Sequence, residues 1–233
     1  IYTASENRLA LQELLPEAII SCYDSYDDSQ LSHLLDWADV VCIGCGLGMG
    51  QISEKILKNV LKNVSCPCVI DADGLNLLSR NIELLNQCCA PVILTPHMKE
   101  MSRLTGWSID TIMEDRFQAL DQIIKQSGPD TKSPIICVLK DSRTVVAQTN
   151  RQRFVNLAGN NSMAKGGSGD VLAGTIAGLL AQHMAPFEAT TVGVFLHACG
   201  GDEAKKSKGS YSVLARDLIQ GMADAMKNAK ECR

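Results

Sequence analysis

The sequence predicts an α/β fold around a mostly parallel sheet, and three observations carry that reading. Short runs of consecutive apolar residues recur along the chain. Stretches with helical spacing stand between them. Polar or glycine-rich turns follow each run. Strands covered on both faces read as unbroken apolar runs rather than alternating ones. Their alternation with helices implies parallel pairing through right-handed crossovers. With 233 residues, the chain is long enough for one large domain with its own core.

The elements follow in order. The opening "IYT" reads as the end of a strand, and Ser5 is placed to cap a helix over "ENRLALQELL". Strands are expected in "DVVCIG" (39–44), "PCVIDAD" (67–73), "PVILTPH" (91–97) and "PIICVLK" (134–140). Helical spacing predicts helices over 51–64, 98–106 and 109–128. Residues 143–156 form two alternating runs around "TNR", the pattern of a β-hairpin at a sheet edge. The remainder is helical over 169–183, 186–206 and 212–229. With no repeat, linker or low-complexity stretch, residues 1–233 read as a single domain.

Composition narrows the partners. A net charge of −4 argues against a nucleic-acid partner, which requires a basic face. No apolar run reaches the roughly 18 to 20 residues of a membrane span. The N-terminus has no basic region followed by an apolar stretch, so a cytoplasmic location is expected. The 10 cysteines are then expected to be reduced. "CIGC" (Cys42, Cys45) has the spacing of metal and redox sites. Cys42 lies inside an apolar run, however, and reads as a small buried hydrophobe. No second C-x-x-C pair supports zinc, so no metal ligands are assigned.

The strand ends carry the chemistry. "GCGLGMG", "DADGLN", "TPHMKE" and "KDSRT" all lie at C-terminal strand ends, where open parallel sheets bind their ligands. Asp71, Asp73 and Asn76 are read there either as turn and cap residues or as lining of the site. "GGSG" (166–169) leads directly into a helix with Asp170 in its first turn. A helix N-terminus offers free N–H groups and a partial positive charge, and glycines let backbone close around an anion. Close helix packing is the competing explanation, since Ala173, Gly174, Ala177 and Gly178 make a small-residue face. Asp170 beside such a cradle suits a base that takes a proton from an attacking hydroxyl. Neither common phosphate loop is present: G-x-x-x-x-G-K-[ST] is absent, and Met49 breaks G-x-G-x-x-G in "GCGLGMG". His33 and His183 read as surface residues, and His197, in an apolar helix, as a structural one.

"GGSGDVLAG" resembles the G-x-G-D anion-hole motif of the ribokinase-like superfamily. Together with "DADGLNLL", "ILTPHMKEMSRL" and "VLKDSRTVVA", it is similar to the ADP-dependent NAD(P)H-hydrate dehydratases over about residues 40–220. The resemblance implies a three-layer α/β/α fold with an edge hairpin. It implies ADP-dependent dehydration of hydrated NADH or NADPH, with AMP and phosphate released and Mg²⁺ required. Carried over by position, Asp170 is the catalytic base and Gly167, Ser168 and Gly169 form the anion hole. Lys140, Asp141, Ser142, Arg143 and Thr144, with Gly169, bind the nucleotide. Gly46, His97, Glu100 and Asp170 hold the hydrated substrate. Three positions depart from the family's pattern: Cys45 stands for a proline, Asp141 for a glycine and Lys165 for a threonine. A homo-oligomer, often a tetramer, and an epimerase partner, fused or separate, are also implied. Relative to the family, an N-terminal strand and glycine-rich turn are expected to be missing, which would leave the isolated chain less stable and less active. Two other readings stand beside this one: a superfamily kinase for a vitamin-precursor hydroxyl, and an inactive nucleotide-binding protein.

Overall fold

The computed structural model describes residues 1–126, 133–149 and 152–231. β1 (Tyr2–Ala4) leads through a 3₁₀ turn into α1 (Arg8–Leu14), and β2 (Ser21–Tyr23) returns parallel to β1. These two strands form their own small sheet. Ser5 opens the 3₁₀ turn rather than capping a continuous helix. α2 (Asp28–Trp37) is capped by Asp27, whose carboxylate accepts from the Ser29 and Gln30 amides.

The main sheet has six strands in the order β3 (Val41–Ile43), β4 (Cys68–Ile70), β5 (Val92–Leu94), β6 (Ile135–Leu139), β7 (Val145–Gln148) and β8 (Arg153–Val155). β3 to β6 pair in parallel, and β7 and β8 continue antiparallel as the expected hairpin. Part of its turn, "TNR", lies outside the described residues. β4, β5 and β6 are buried throughout, so their unbroken apolar runs match their coverage.

β3 is different. It is an end strand, and Cys42 within it is exposed rather than buried. An end strand has a neighbour on one side only, so its middle residue can face solvent.

Helices cover both faces. α3 (Gln51–Asn63), α4 (Ala72–Leu78), α5 (Met98–Thr105), α6 (Ile109–Glu114) and α7 (Arg116–Gln126) pack with Ile70, Leu94, Cys137 and Leu139 on one face. α3 does so through Ile56, Leu57, Val60 and Leu61, one stripe of an amphipathic helix. α8 (Ser168–Ala181) and α9 (Pro186–Lys208) cover Val69, Ile93, Ile136 and Val138 on the other. α10 (Ala215–Glu231) packs on α9.

The helix expected over 109–128 is two helices within the described residues. Asp115 is extended, and its carboxylate accepts from the Gln118 amide at 2.9 Å, ending α6 and starting α7.

Candidate active site

Parallel strands bring their C-terminal ends to one edge. Asp71 directly follows β4 and is 1% exposed. Lys140 directly follows β6, and its Nζ donates to Asp71 Oδ1 at 2.6 Å. Between them, β5 is followed by Thr95, Pro96 and His97. His97 bridges Lys140 in parallel, and the Lys140 amide donates to Pro96 O at 2.8 Å. A carboxylate this buried needs a charged partner, and Lys140 supplies it across the sheet.

α8 enters this edge from above. Its N-cap, Gly167, has φ +86°, a left-handed conformation that favours glycine. The Ser168 amide donates to Lys165 O, and the first i to i−4 bond runs from Val171 N to Gly167 O. The amides of Gly169 and Asp170 therefore lie in the open first turn of the helix. A Cβ on Gly169 would come within 3.0 Å of Lys140 Nζ and 3.4 Å of Asp71 Oδ2. The bare backbone of α8 thus rests directly on the ion pair.

Asp170 is exposed. One oxygen of Asp170, one of Asp71 and Cys45 Sγ all lie within 4.8 Å of one another. Cys45 sits in the loop after β3. Gly44, at φ +123°, lets that loop cross Asp71: a Cβ there would fall 1.8 Å from the Asp71 carbonyl oxygen. Gly46 follows at φ +68° with open space around it. The Gly48 amide donates to Asp73 Oδ2 at 2.9 Å, tying the loop to α4.

α5 starts at the same edge with its N-terminus closed. His97 Nδ1 accepts from the Lys99 and Glu100 amides at 3.0 and 3.3 Å. Glu100 Oε2 accepts from the His97 amide at 2.8 Å, completing a capping box. With Nδ1 accepting, a neutral His97 carries its proton on Nε2, which is 3.4 Å from Glu100 Oε1. Burial, then Lys140 and Arg103, lowers the His97 pKa, while burial raises that of Glu100.

Lys140 to Thr144 form the turn from β6 to β7. Asp141 pairs with Arg116 at 3.3 Å, Thr144 Oγ1 donates to Asp141 O at 3.3 Å, and Arg143 Nη1 reaches Leu157 O at 3.3 Å. Ser142 and Arg143 are exposed.

The edge therefore gathers Asp170, Gly167, Ser168, Gly169, Lys140, Gly46, His97 and Glu100. Three features around these residues are not legible in the sequence. Lys140 was read for nucleotide contact, yet it is also the counter-ion of Asp71. Gly44 is required by a contact with distant backbone. His197, on α9, places Nε2 3.4 Å from Ser168 Oγ, beneath the glycine run. Burial pushes its pKa down to about 4, so it is neutral near pH 7. His33 and His183 are exposed.

A largely parallel sheet between helical layers, with a glycine-led helix N-terminus over the C-terminal edge of its strands, is the ribokinase-like arrangement. Within that class, the family model for NAD(P)H-hydrate dehydratase matches residues 1–223, and the chain belongs to this family.

Its relatives include the bifunctional NAD(P)H-hydrate repair enzyme of Moorella thermoacetica, 37% identical over 83% of this chain and 35% of the relative. The chain thus spans about a third of that relative's length. The ADP-dependent (S)-NAD(P)H-hydrate dehydratase of Neisseria meningitidis is 35% identical over 93% of this chain and 73% of the relative. Among solved structures, the ADP/ATP-dependent NAD(P)H-hydrate dehydratase of Bacillus subtilis, co-crystallised with ATP/Mg²⁺, is 26% identical. It superposes with a TM-score of 0.78 over 97% of this chain and 76% of the other.

Proposed function

We propose that the chain catalyses ADP-dependent dehydration of hydrated NADH or NADPH. The observation that carries this reading is Asp170, an exposed carboxylate in the open first turn of α8, directly over the Asp71–Lys140 pair. The activities for which the relatives are named point the same way.

In this reading Asp170 takes the proton from the C6 hydroxyl of the hydrated ring, whose oxygen attacks the β-phosphorus of ADP. AMP leaves. The amides at the start of α8 hold the transferring phosphoryl group, where N–H dipoles stabilise developing charge. The phosphorylated hydroxyl is a far better leaving group than hydroxide. The ring nitrogen lone pair expels it as phosphate, and loss of the C5 proton restores the dihydronicotinamide. Lys140 to Thr144 with Gly169 contact the nucleotide. Gly46, His97 and Glu100 position the substrate, His97 as a neutral donor held by Glu100.

Mg²⁺ fits this edge. It is a hard cation that takes oxygen ligands, commonly one or two carboxylates together with nucleotide phosphates. Asp71 and Asp170 are the carboxylates in place. The ion would neutralise charge on the phosphates.

An epimerase supplying the reactive hydrate epimer is the expected functional partner, fused or separate, and a cytoplasmic homo-tetramer is the expected assembly. Among the described residues no helix is long and apolar enough to cross a membrane.

The test is to incubate the protein with hydrated NADH, ADP and Mg²⁺. Return of dihydronicotinamide absorbance with equimolar AMP is expected, and excess chelator should stop it. A phosphorylated product that accumulates without absorbance recovery would favour the kinase reading instead.

A further inference from the structure

We propose that this edge is also a binding site for one thiophilic divalent cation of the Zn²⁺ or Cd²⁺ type, held by Cys45, Asp170 and Asp71 with Cys42 as fourth donor. The first observation is geometric: Cys45 Sγ and one oxygen each from Asp71 and Asp170 lie within 4.8 Å of one another. Around tetrahedral zinc, with Zn–S about 2.3 Å and Zn–O about 2.0–2.2 Å, such donors stand roughly 3.5 Å apart. Each side chain therefore needs to move by on the order of 1 Å.

The second observation is independent of the carboxylates. Cys42 lies three residues before Cys45, the C-x-x-C spacing of metal sites, and the two thiols stand close enough to shift one another's ionisation. Both cysteines are exposed, as is Asp170, so a cation reaches three of the four donors without opening the core.

Asp71 can contribute without releasing its partner. Lys140 engages Oδ1, while Oδ2 faces Gly169 at the start of α8. Two thiolates and two carboxylates outweigh the single positive charge of Lys140.

Ligand softness distinguishes this from a magnesium site. Thiolate sulfur selects Zn²⁺ and Cd²⁺, whereas Mg²⁺ demands oxygen. On ligation each thiol loses its proton to the buffer and a metal–sulfur bond replaces metal–water, with no change of oxidation state. The consequence rests on the dehydratase reading: with a lone pair of Asp170 bound to metal, its carboxylate no longer accepts the hydroxyl proton. The metal is then an inhibitor.

The experiment titrates Zn²⁺ and Cd²⁺ into the reduced, full chain in competition with a chromophoric chelator, for the wild type, Cys45→Ser and Cys42→Ser. One tight equivalent is expected in the wild type. Affinity should fall at least tenfold in Cys45→Ser, and Co²⁺ should give a sulfur-to-cobalt charge-transfer band that Cys45→Ser loses. Wild-type affinity in Cys45→Ser would overturn the site, because the other cysteines would then be the ligands. In a parallel assay Zn²⁺ should inhibit the wild type, while Cys45→Ser, read against its own metal-free rate, should resist at the same concentration. Stoichiometric binding at Cys45 in a chain that turns nothing over would support the site and count against the dehydratase reading.

Discussion

Two helices begin at the same sheet edge, and they begin in opposite ways. α5 is closed by its own side chains: His97 and Glu100 occupy the amides that a ligand could otherwise use. α8 has a left-handed glycine at its N-cap, no side-chain cap, and glycines on both sides of Ser168. Capping stabilises a helix by satisfying its free amides. Leaving α8 uncapped forgoes that stabilisation and keeps the amides available. The difference suits complementary tasks: the closed terminus holds a histidine in one orientation, and in the proposed function the open one receives an anion.

The contrast can be broken most severely at α8. Asp170→Asn keeps the shape and removes the proposed base, and a positioned base contributes about 10² to 10⁴ in rate. Turnover should fall by that factor in a steady-state assay, and a loss under threefold would contradict the assignment.

Next in size is the pair beneath α8. Lys140→Met leaves a buried Asp71 carboxylate without its counter-ion. Breaking a buried pair from one side costs about 3–5 kcal/mol. Because Lys140 is 18% exposed, the lower end of that range is expected, read as a shift in the urea unfolding midpoint.

His197 contributes up to about 3 kcal/mol through its depressed pKa of about 4. The unfolded chain takes up its proton near pH 6.5, and the folded chain only near pH 4. The stability is therefore fully present above pH 6.5 and is lost as the pH falls from there toward 4. Unfolding titrations of wild type and His197→Asn across this window should show a shallower acid slope for the variant. Parallel slopes would show that His197 titrates normally.

The smallest effect belongs to the closed terminus. Glu100→Ala removes one bond of the capping box, and about 1 kcal/mol is expected from a lost capping interaction. Gln also serves at this position of a capping box, so Glu100→Gln should recover most of the loss. If Ala and Gln behave alike, the box does not stabilise α5.

These residues also show what a sequence displays. β4, β5 and β6 were legible because burial on both faces writes itself as an unbroken apolar run. β3 has the same run, and Cys42 was misread with it, because run length does not tell an end strand from a central one. The join at Asp115 was missed because helical periodicity continues through it, while the cap is a single side chain. Asp170 and the glycine run were legible as adjacent signals. The Asp71–Lys140 pair was not, since its members are 69 residues apart and meet only when β4 and β6 flank β5. Gly44 is dictated by the backbone of Asp71, a contact that local spacing cannot express.

The most direct test separates the cradle from the base. ADP affinity of Asp170→Asn is measured by titration calorimetry beside the wild type, on the protein used for the turnover assay. If the open terminus of α8 holds the phosphates and Asp170 acts only on the hydroxyl proton, the dissociation constant stays within threefold while turnover collapses. A tenfold or greater loss of ADP affinity would make Asp170 part of the nucleotide site and contradict that division of labour.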